Sequence, residues 1–385
     1  MTPAKTRPRR WVWQHPNWPK FTWDEAILSP ALSRARRAQG ELAGVARLLD
    51  SKLDLSAQLE VLTLEGLTTS AIEGEKLNPD AVRSSIARRL GLPTGGLPRP
   101  SRDVEGLIEV LLDATQRYDK PLTLKRLSAW QGALFPTGRS GLVKIRVGTL
   151  RGQAPMQIVS GPIGRERVHY EAPPRARLGR EMGAFLHWLN DPPASLDGLL
   201  RAGLAHAWFE VLHPFEDGNG RVGRALLDMA LAQDEHRSVR LYSMSARFMD
   251  QRDAYYTSLE QVSSGNLDIT SWLLWFLQQV TAAIRSSESL VASVVQKARF
   301  WMQHAHSELN ERELKALNRM LESEPGGFVG GITNKKYAHL TKASPATAQR
   351  DLAHLVDLGC LVAVGRGRGA RYDLNLPSSQ VSRAG

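Results

Sequence analysis

The chain has 385 residues, 42% hydrophobic and 23% charged, a balance for soluble globular domains and a length for roughly two to three of them. Its single cysteine, Cys360, excludes a disulfide framework or a thiolate metal cluster, and no apolar run is long enough for a membrane span. Lys5, Arg7, Arg9 and Arg10 lead into no apolar stretch, so no signal peptide is read and a cytoplasmic location is expected, while the net charge of +11 and pI near 9.9 favour acidic partners such as nucleotides or nucleic acid.

Trp11, Trp13, Trp18 and Trp23 crowd the N-terminus between Pro16 and Pro19, which predicts an extended arm that lays its rings on the protein body. Helical periodicity begins near Asp24. Leu55, Leu59 and Leu62 fall at i, i+4 and i+7, which predicts a helix over Leu53–Ile72, with Glu73-Gly74 as its C-terminus. The stretch Leu92–Pro100 is rich in Gly and Pro and reads as a linker, followed by helices at Asp103–Arg117 and Thr123–Leu134. Gln157-Ile158-Val159 and Arg167–Tyr170 flank Gly161-Pro162-Ile163-Gly164, the pattern of a β-hairpin. Helices are expected again at Leu178–Asn190, Leu199–Leu212, Arg221–Gln233, Arg247–Val262 and Ile269–Ser286.

The tail changes character. Helices at Glu311–Ser323 and Thr333–Leu340 precede Ser344, a good N-cap, and Pro345, which opens a third helix to Leu358. Strands at Leu361–Val364 and Ala370–Leu374 enclose Gly365–Gly369 with Arg366 and Arg368. Three helices and a basic hairpin predict a winged helix-turn-helix. The expected fold class is therefore all-α, a helical core with one small hairpin, plus that winged helix. The expected segments are 1–92, 93–288 and 289–385.

The chemistry is concentrated in His213-Pro214-Phe215-Glu216-Asp217-Gly218-Asn219-Gly220-Arg221-Val222-Gly223-Arg224, a loop that opens a helix. Free N–H groups and the positive end of the helix dipole converge at such a place and suit phosphate. Gly218 and Gly220 let the backbone approach a ligand, Asn219 adds a donor, and Arg221 and Arg224 share a helix face at i, i+3. Asp217 suits a hard cation that bridges phosphates, and His213 suits proton abstraction near neutral pH. A base, a metal ligand and an anion clamp are the equipment for attack of a hydroxyl on a nucleotide phosphate.

This segment resembles, at every fixed position, the Fic family signature His-Pro-Phe-x-(Asp/Glu)-Gly-Asn-Gly-Arg-x-x-Arg. The resemblance implies a protein adenylyltransferase that moves AMP from ATP to a Ser, Thr or Tyr hydroxyl. It makes His213 the general base, Phe215 a core anchor and Asp217 the Mg²⁺ ligand. Gly218, Asn219 and Gly220 become the anion hole, and Arg221 and Arg224 bind the β- and γ-phosphates. Phosphorylating relatives, the death-on-curing toxins, depart from the signature at the Gly and final Arg positions, and this sequence does not. The hairpin resembles the family's flap, with Ile158 and Val159 docking the target by strand addition. Tyr255-Tyr256-Thr257-Ser258-Leu259-Glu260 resembles the segment over adenine, with Tyr255 as the stacking residue, and Ser263 stands where some relatives carry Asn. His206 and Glu210 read as structural members of the upstream helix. Thr69–Gly74 matches the inhibitory pattern (Ser/Thr)-x-x-x-Glu-(Gly/Asn), in which Glu73 pairs with Arg224 and blocks productive ATP binding.

Expected partners are ATP, a target protein, the chain itself by self-modification, and no membrane. For the tail, Thr347, Gln349, Arg350 and His354 on the third helix and Arg366, Arg368 and Arg371 on the wing suit contact with DNA, while protein contact or homodimerisation is the other fate of such a module. The alternative function is a DNA-binding regulator whose core senses nucleotide. An intact His213 and Asp217 favour the enzyme, since a sensor needs no base.

Overall fold

The computed structural model describes residues 11–47, 51–94, 96–160, 167–238, 240–321, 331–365 and 370–376. The chain divides between residues 287 and 288 into two compact units.

In the first unit the tryptophan arm lies on the body, although it is not extended throughout: Val12–Gln14 make one 3-10 turn. Two of its rings settle their N–H groups on the body. Trp13 Nε1 donates to the Glu171 carbonyl (2.7 Å) and Trp18 Nε1 to Glu181 Oε2 (2.8 Å). Thr22 then bridges to the segment just before Thr270, with Thr22 N–H on Leu267 O and Ile269 N–H on Thr22 O, both 2.9 Å.

The helices follow as α1 (Glu25–Arg47), α2 (Ser51–Ile72), α3 (Pro79–Arg89), α4 (Arg102–Gln116), α5 (Leu124–Leu134), α6 (Arg175–Asn190), α7 (Gly198–Leu212), α8 (Asn219–Glu235), α9 (Met244–Asp250), α10 (Arg252–Ser264) and α11 (Thr270–Gln303), whose residues from 288 onward belong to the second unit. The unexpected α3 has a plain local cause: Asn78 Oδ1 accepts the N–H groups of Asp80 and Ala81, and Pro79 sits at N1. At the centre α7 packs on α8, and both are buried on nearly every side, α8 also meeting α4. Ile108, Leu111, Phe185, Phe209, Phe215 and Leu226 belong to that core.

Two helices differ from the sequence reading. The stretch expected as one helix over Arg247–Val262 is broken at Gln251, which leaves helical geometry (φ −118°, ψ 36°). The break lets Phe248 of α9 and Tyr255 of α10 stack on each other, ring centroids 4.5 Å apart, beside His206. Helix α11 also runs well past Ser286, because its apolar stripe continues through Val291, Val294 and Phe300.

Strands β1 (Arg139–Ser140) and β2 (Val143–Lys144) form a small hairpin before the flap. The flap pairs β3 (Gln157–Ser160) with β4 (Arg167–Glu171) antiparallel, Ile158 opposite Tyr170, with a bulge between Ile158 and Val159. Its turn, Gly161–Gly164, lies outside the described residues.

The second unit has its own core of Leu317, Ile332, Tyr337, Leu352, Leu355 and Leu361. Helices α12 (Glu311–Met320), α13 (Asn334–Thr341) and α14 (Pro345–Asp357) precede the antiparallel pair β5 (Leu361–Val364) and β6 (Arg371–Leu374). Ile332 bridges to Tyr372 on β6. Arg366 and Arg368 lie outside the described residues. No described helix is long and apolar enough to cross a membrane.

Candidate active site

Helix α7 ends because His213 adopts the left-handed conformation (φ 45°) while its N–H still reaches Phe209 O (3.0 Å). Such a φ is uncommon for a side chain with a Cβ and needs outside support. Arg151 supplies it. Its Nε donates to His213 O (2.9 Å), its Nη2 to Pro173 O, and its own N–H to Pro214 O (3.0 Å). Phe215 is fully buried. The side chain of Asn219 closes on the backbone of Phe215, accepting its N–H and donating to its carbonyl, both at 2.9 Å. Asn219 thus staples the loop, and what it offers a ligand is its main-chain N–H. Gly218 (φ 83°) opens α8, where a Cβ would be strained and would meet the Phe135 ring at 2.8 Å.

The other loop acids face inward or forward. Glu216 accepts the N–H groups of Arg146 (2.8 Å) and Gly152 (3.2 Å), which drapes the 139–152 segment over the loop. The carboxylate of Asp217 accepts the Ser140 hydroxyl and the Gly218 N–H. These donors use one lone pair on each oxygen and leave the others free. A single oriented carboxylate fits what Mg²⁺ takes from a protein when phosphates supply the rest. The described residues hold no cluster of three or more His, Cys, Asp or Glu.

A cleft of about 860 Å³ brings most of the expected residues together: Glu73, Ile158, Val159, His213, Asp217–Gly220 and Arg224. Arg221 is apart from its lining. Arg221 Nη1 pairs with Glu75 Oε2 (2.8 Å), and its guanidinium lies 5.0 Å from the Phe135 ring centre. Arg224 is buried, with Nε on Thr69 Oγ1 (2.7 Å) and Nη2 on both Thr69 O and Glu73 Oε1 (2.8 Å each). Burial works against the Arg224 charge, but the Glu73 carboxylate more than offsets it and holds the guanidinium pKa above its usual value. Glu73 leaves α2 just past Ile72, with Gly74 left-handed behind it (φ 84°). Its Oε1 lies so close over Gly220 that a Cβ there would collide with it. A carboxylate of the chain itself therefore occupies the anion position in the first turn of α8.

His213 is 18% exposed at the side chain, and desolvation, reinforced by the nearby Arg151 charge, pushes its pKa down to about 4. At neutral pH the imidazole is uncharged and able to accept a proton. Its Nδ1 faces the Glu210 carbonyl (3.4 Å) and Glu210 Oε2 (3.9 Å), which leaves Nε2 for the cleft. Burial raises Glu210 to about 7, against the pull of Arg224.

One expected residue is packed more deeply than a stacking role implies. Tyr255 borders the cleft but is only 1% exposed; its hydroxyl meets His206 Nε2 (2.8 Å), and its ring is stacked on Phe248. The next residue, Tyr256, is 42% exposed and lines the cleft, with the Arg252 guanidinium over its ring (5.5 Å). In a Tyr-Tyr pair on a helix, neighbours point about 100° apart, and only packing decides which ring is inside. His206 is fully buried between Gly223 O (2.9 Å) and Tyr255. Ser263 Oγ bonds back to Glu260 O (3.0 Å) within α10. Sequence reasoning missed Arg151, Ser140, Glu216 and Arg252, which no local pattern marks. Glu75, two residues beyond Glu73, carried a weak signal in its spacing.

Residues 11–92 match a domain of unknown function, DUF4172, and residues 121–231 match the Fic/DOC family. The chain is 36% identical over 84 residues to protein adenylyltransferase fic-1 of Caenorhabditis elegans, covering 22% of this chain and 15% of that one. It is 28% identical over 104 residues to a probable protein adenylyltransferase of Aquifex aeolicus, covering 27% and 30%. The chain thus spans less than a third of the length of these curated relatives. A Fic family protein from Desulfovibrio desulfuricans G20 has a similar fold, with a TM-score of 0.52 at 19% identity over 90% of this chain and 96% of that one. The helical architecture around α7 and α8, the loop between them and these likenesses converge on one assignment: residues 121–231 form a Fic domain.

Proposed function

We propose that this protein is a protein adenylyltransferase that transfers AMP from ATP to a Ser, Thr or Tyr hydroxyl of a target protein, and that Glu73 holds it at rest in an inhibited state. The observation that carries this reading is the meeting, in one cleft, of an uncharged His213 with the α8 N-terminus and Arg224. The names of the adenylyltransferase relatives support it.

His213 Nε2 removes the proton of the target hydroxyl. The freed oxygen attacks the α-phosphorus, the bond to the β-phosphate oxygen breaks, and pyrophosphate leaves with the electron pair. The main-chain N–H groups of Asn219 and Gly220 and the guanidinium groups of Arg221 and Arg224 hold the phosphate charge. Asp217 would hold Mg²⁺, which supplies further neutralisation between phosphates. Tyr256, rather than Tyr255, offers the ring for the base. The exposed Ile158 and Val159 on β3 suit an incoming target strand.

In the resting state Glu73 takes the place of a phosphate on Arg224, and Glu75 takes Arg221. The test is intact-mass spectrometry after incubation with ATP and Mg²⁺, comparing wild type, Glu73→Gly, and Glu73→Gly with His213→Ala. Self-added AMP in the single variant and none in the double variant is expected. Equal adduct in single and double variants would remove His213 from the reaction.

A further inference from the structure

The second unit carries a surface that the transfer reaction does not use. Over residues 331–376 lysine and arginine outnumber aspartate, and no glutamate occurs. Two acids of this unit are buried and paired. Asp351 is buried and takes Arg312 Nε (2.8 Å) and the Tyr337 hydroxyl (3.0 Å). Glu313 is buried and takes His354 Nδ1 (2.8 Å) and the Asn310 N–H (2.9 Å). Asp373 lies 3.7 Å from Arg371, and Asp357 ends α14.

Positive groups gather at the opposite end of α14. Asn334 Nδ2 donates to Pro345 O (3.1 Å), which ties the N-terminus of α13 to that of α14. Thr333 and Ser344 cap the two helices. Ile332, just before α13, bridges to Tyr372, so exposed Arg371 on β6 is at the same edge. Lys335 and Lys342 are exposed there too. Along α14, Ala348, Leu352 and Leu355 face the core, and Ala346, Gln349, Arg350 and Ala353 form an exposed stripe at i, i+3, i+4 and i+7. A helix of 13 residues is about 20 Å long and about 10–12 Å wide, which fits a major groove about 12 Å across. Small residues above and below Gln349 and Arg350 allow close approach, and Gln and Arg are the side chains that pair with adenine and guanine edges.

We propose that this face binds duplex DNA, with α14 in the major groove, Gln349 and Arg350 at base edges, and Lys335, Lys342 and Arg371 on phosphates. The inference stands apart from the transferase reading and does not depend on His213 or ATP.

The test uses the full chain and a fluorescently labelled duplex of random sequence, read by anisotropy between 50 and 200 mM salt. The variants are Lys335→Glu with Lys342→Glu, Arg350→Ala, and a charge-matched control, Arg37→Glu with Arg180→Glu, two exposed positions of the first unit. Wild type should bind with a steep salt dependence. The double lysine variant should bind at least about ten-fold more weakly, with a log–log salt slope smaller by roughly two, and the control should not. Selection from a randomised duplex pool should enrich a sequence that Arg350→Ala no longer prefers. No binding at 50 mM salt overturns the proposal, as does equal weakening by the control. A face that instead drives self-association, lost in the lysine variant without any DNA affinity, overturns it too.

Discussion

The contact between Glu73 and Arg224 allows a quantitative prediction for Glu73→Gly. The two groups meet at 2.8 Å, with Arg224 2% and Glu73 32% exposed at the side chain. Charges about 4 Å apart attract by about 4 kcal/mol at an effective dielectric constant near 20, and partial exposure of the glutamate reduces this to about 2 kcal/mol. An ATP phosphate must displace that contact, so removing it should tighten binding of a non-hydrolysable ATP analogue by roughly 30-fold. Thr69 still holds Arg224 through Oγ1 and its carbonyl, so the guanidinium stays in place for the ligand. Without ligand, the variant leaves a buried cation short of its partner, and its melting temperature should fall. The analogue should then raise that temperature more in the variant than in wild type. Calorimetry at matched Mg²⁺ gives the affinities. Equal affinity for the two proteins refutes the idea that Glu73 competes with phosphate. Glu75 is 48% exposed, a surface pair worth about 0–1 kcal/mol, so Glu75→Ala alone should change affinity less than about five-fold.

Other consequences are open to direct measurement. With His213 held near 4, the acid limb of the AMP-transfer rate in Glu73→Gly should lie well below the ordinary histidine value of 6.5, and a pH–rate profile reads it. Tyr255→Phe should leave His206 Nε2 unpaired and cost about 1–3 kcal/mol in urea unfolding without changing nucleotide affinity, whereas Tyr256→Ala should weaken nucleotide binding and leave stability nearly unchanged. Phe215→Ala should cost about 3–5 kcal/mol, read by the same unfolding curves. His206 and His213 are both held near 4, against 6.5 when unfolded, so the unfolded chain binds more protons between those values and stability falls as pH drops from 6.5 to 4. Glu210, raised from 4.5 to about 7, acts in the opposite sense over its own window, so Glu210→Gln should steepen the loss between pH 7 and 5.

Residue order alone makes the helical architecture, the β3–β4 hairpin and the order of the chemistry along the loop legible. Those features are local: the apolar period of α2 and α7, Pro345 behind Ser344, and a loop whose glycines and arginines are set by the few residues around them. Even so, periodicity could not see the break at Gln251, because no Gly or Pro marks it and the stacking of Phe248 and Tyr255 beside His206 is a tertiary contact. Packing between distant segments sets which of two adjacent tyrosines is buried, and directs the Asn219 amide to Phe215. It also decides that Arg151, more than sixty residues before His213 in the chain, holds the carbonyl that keeps His213 left-handed. The depressed His213 pKa has the same origin. Burial is a sum over groups distant in sequence, and no window of residues contains it.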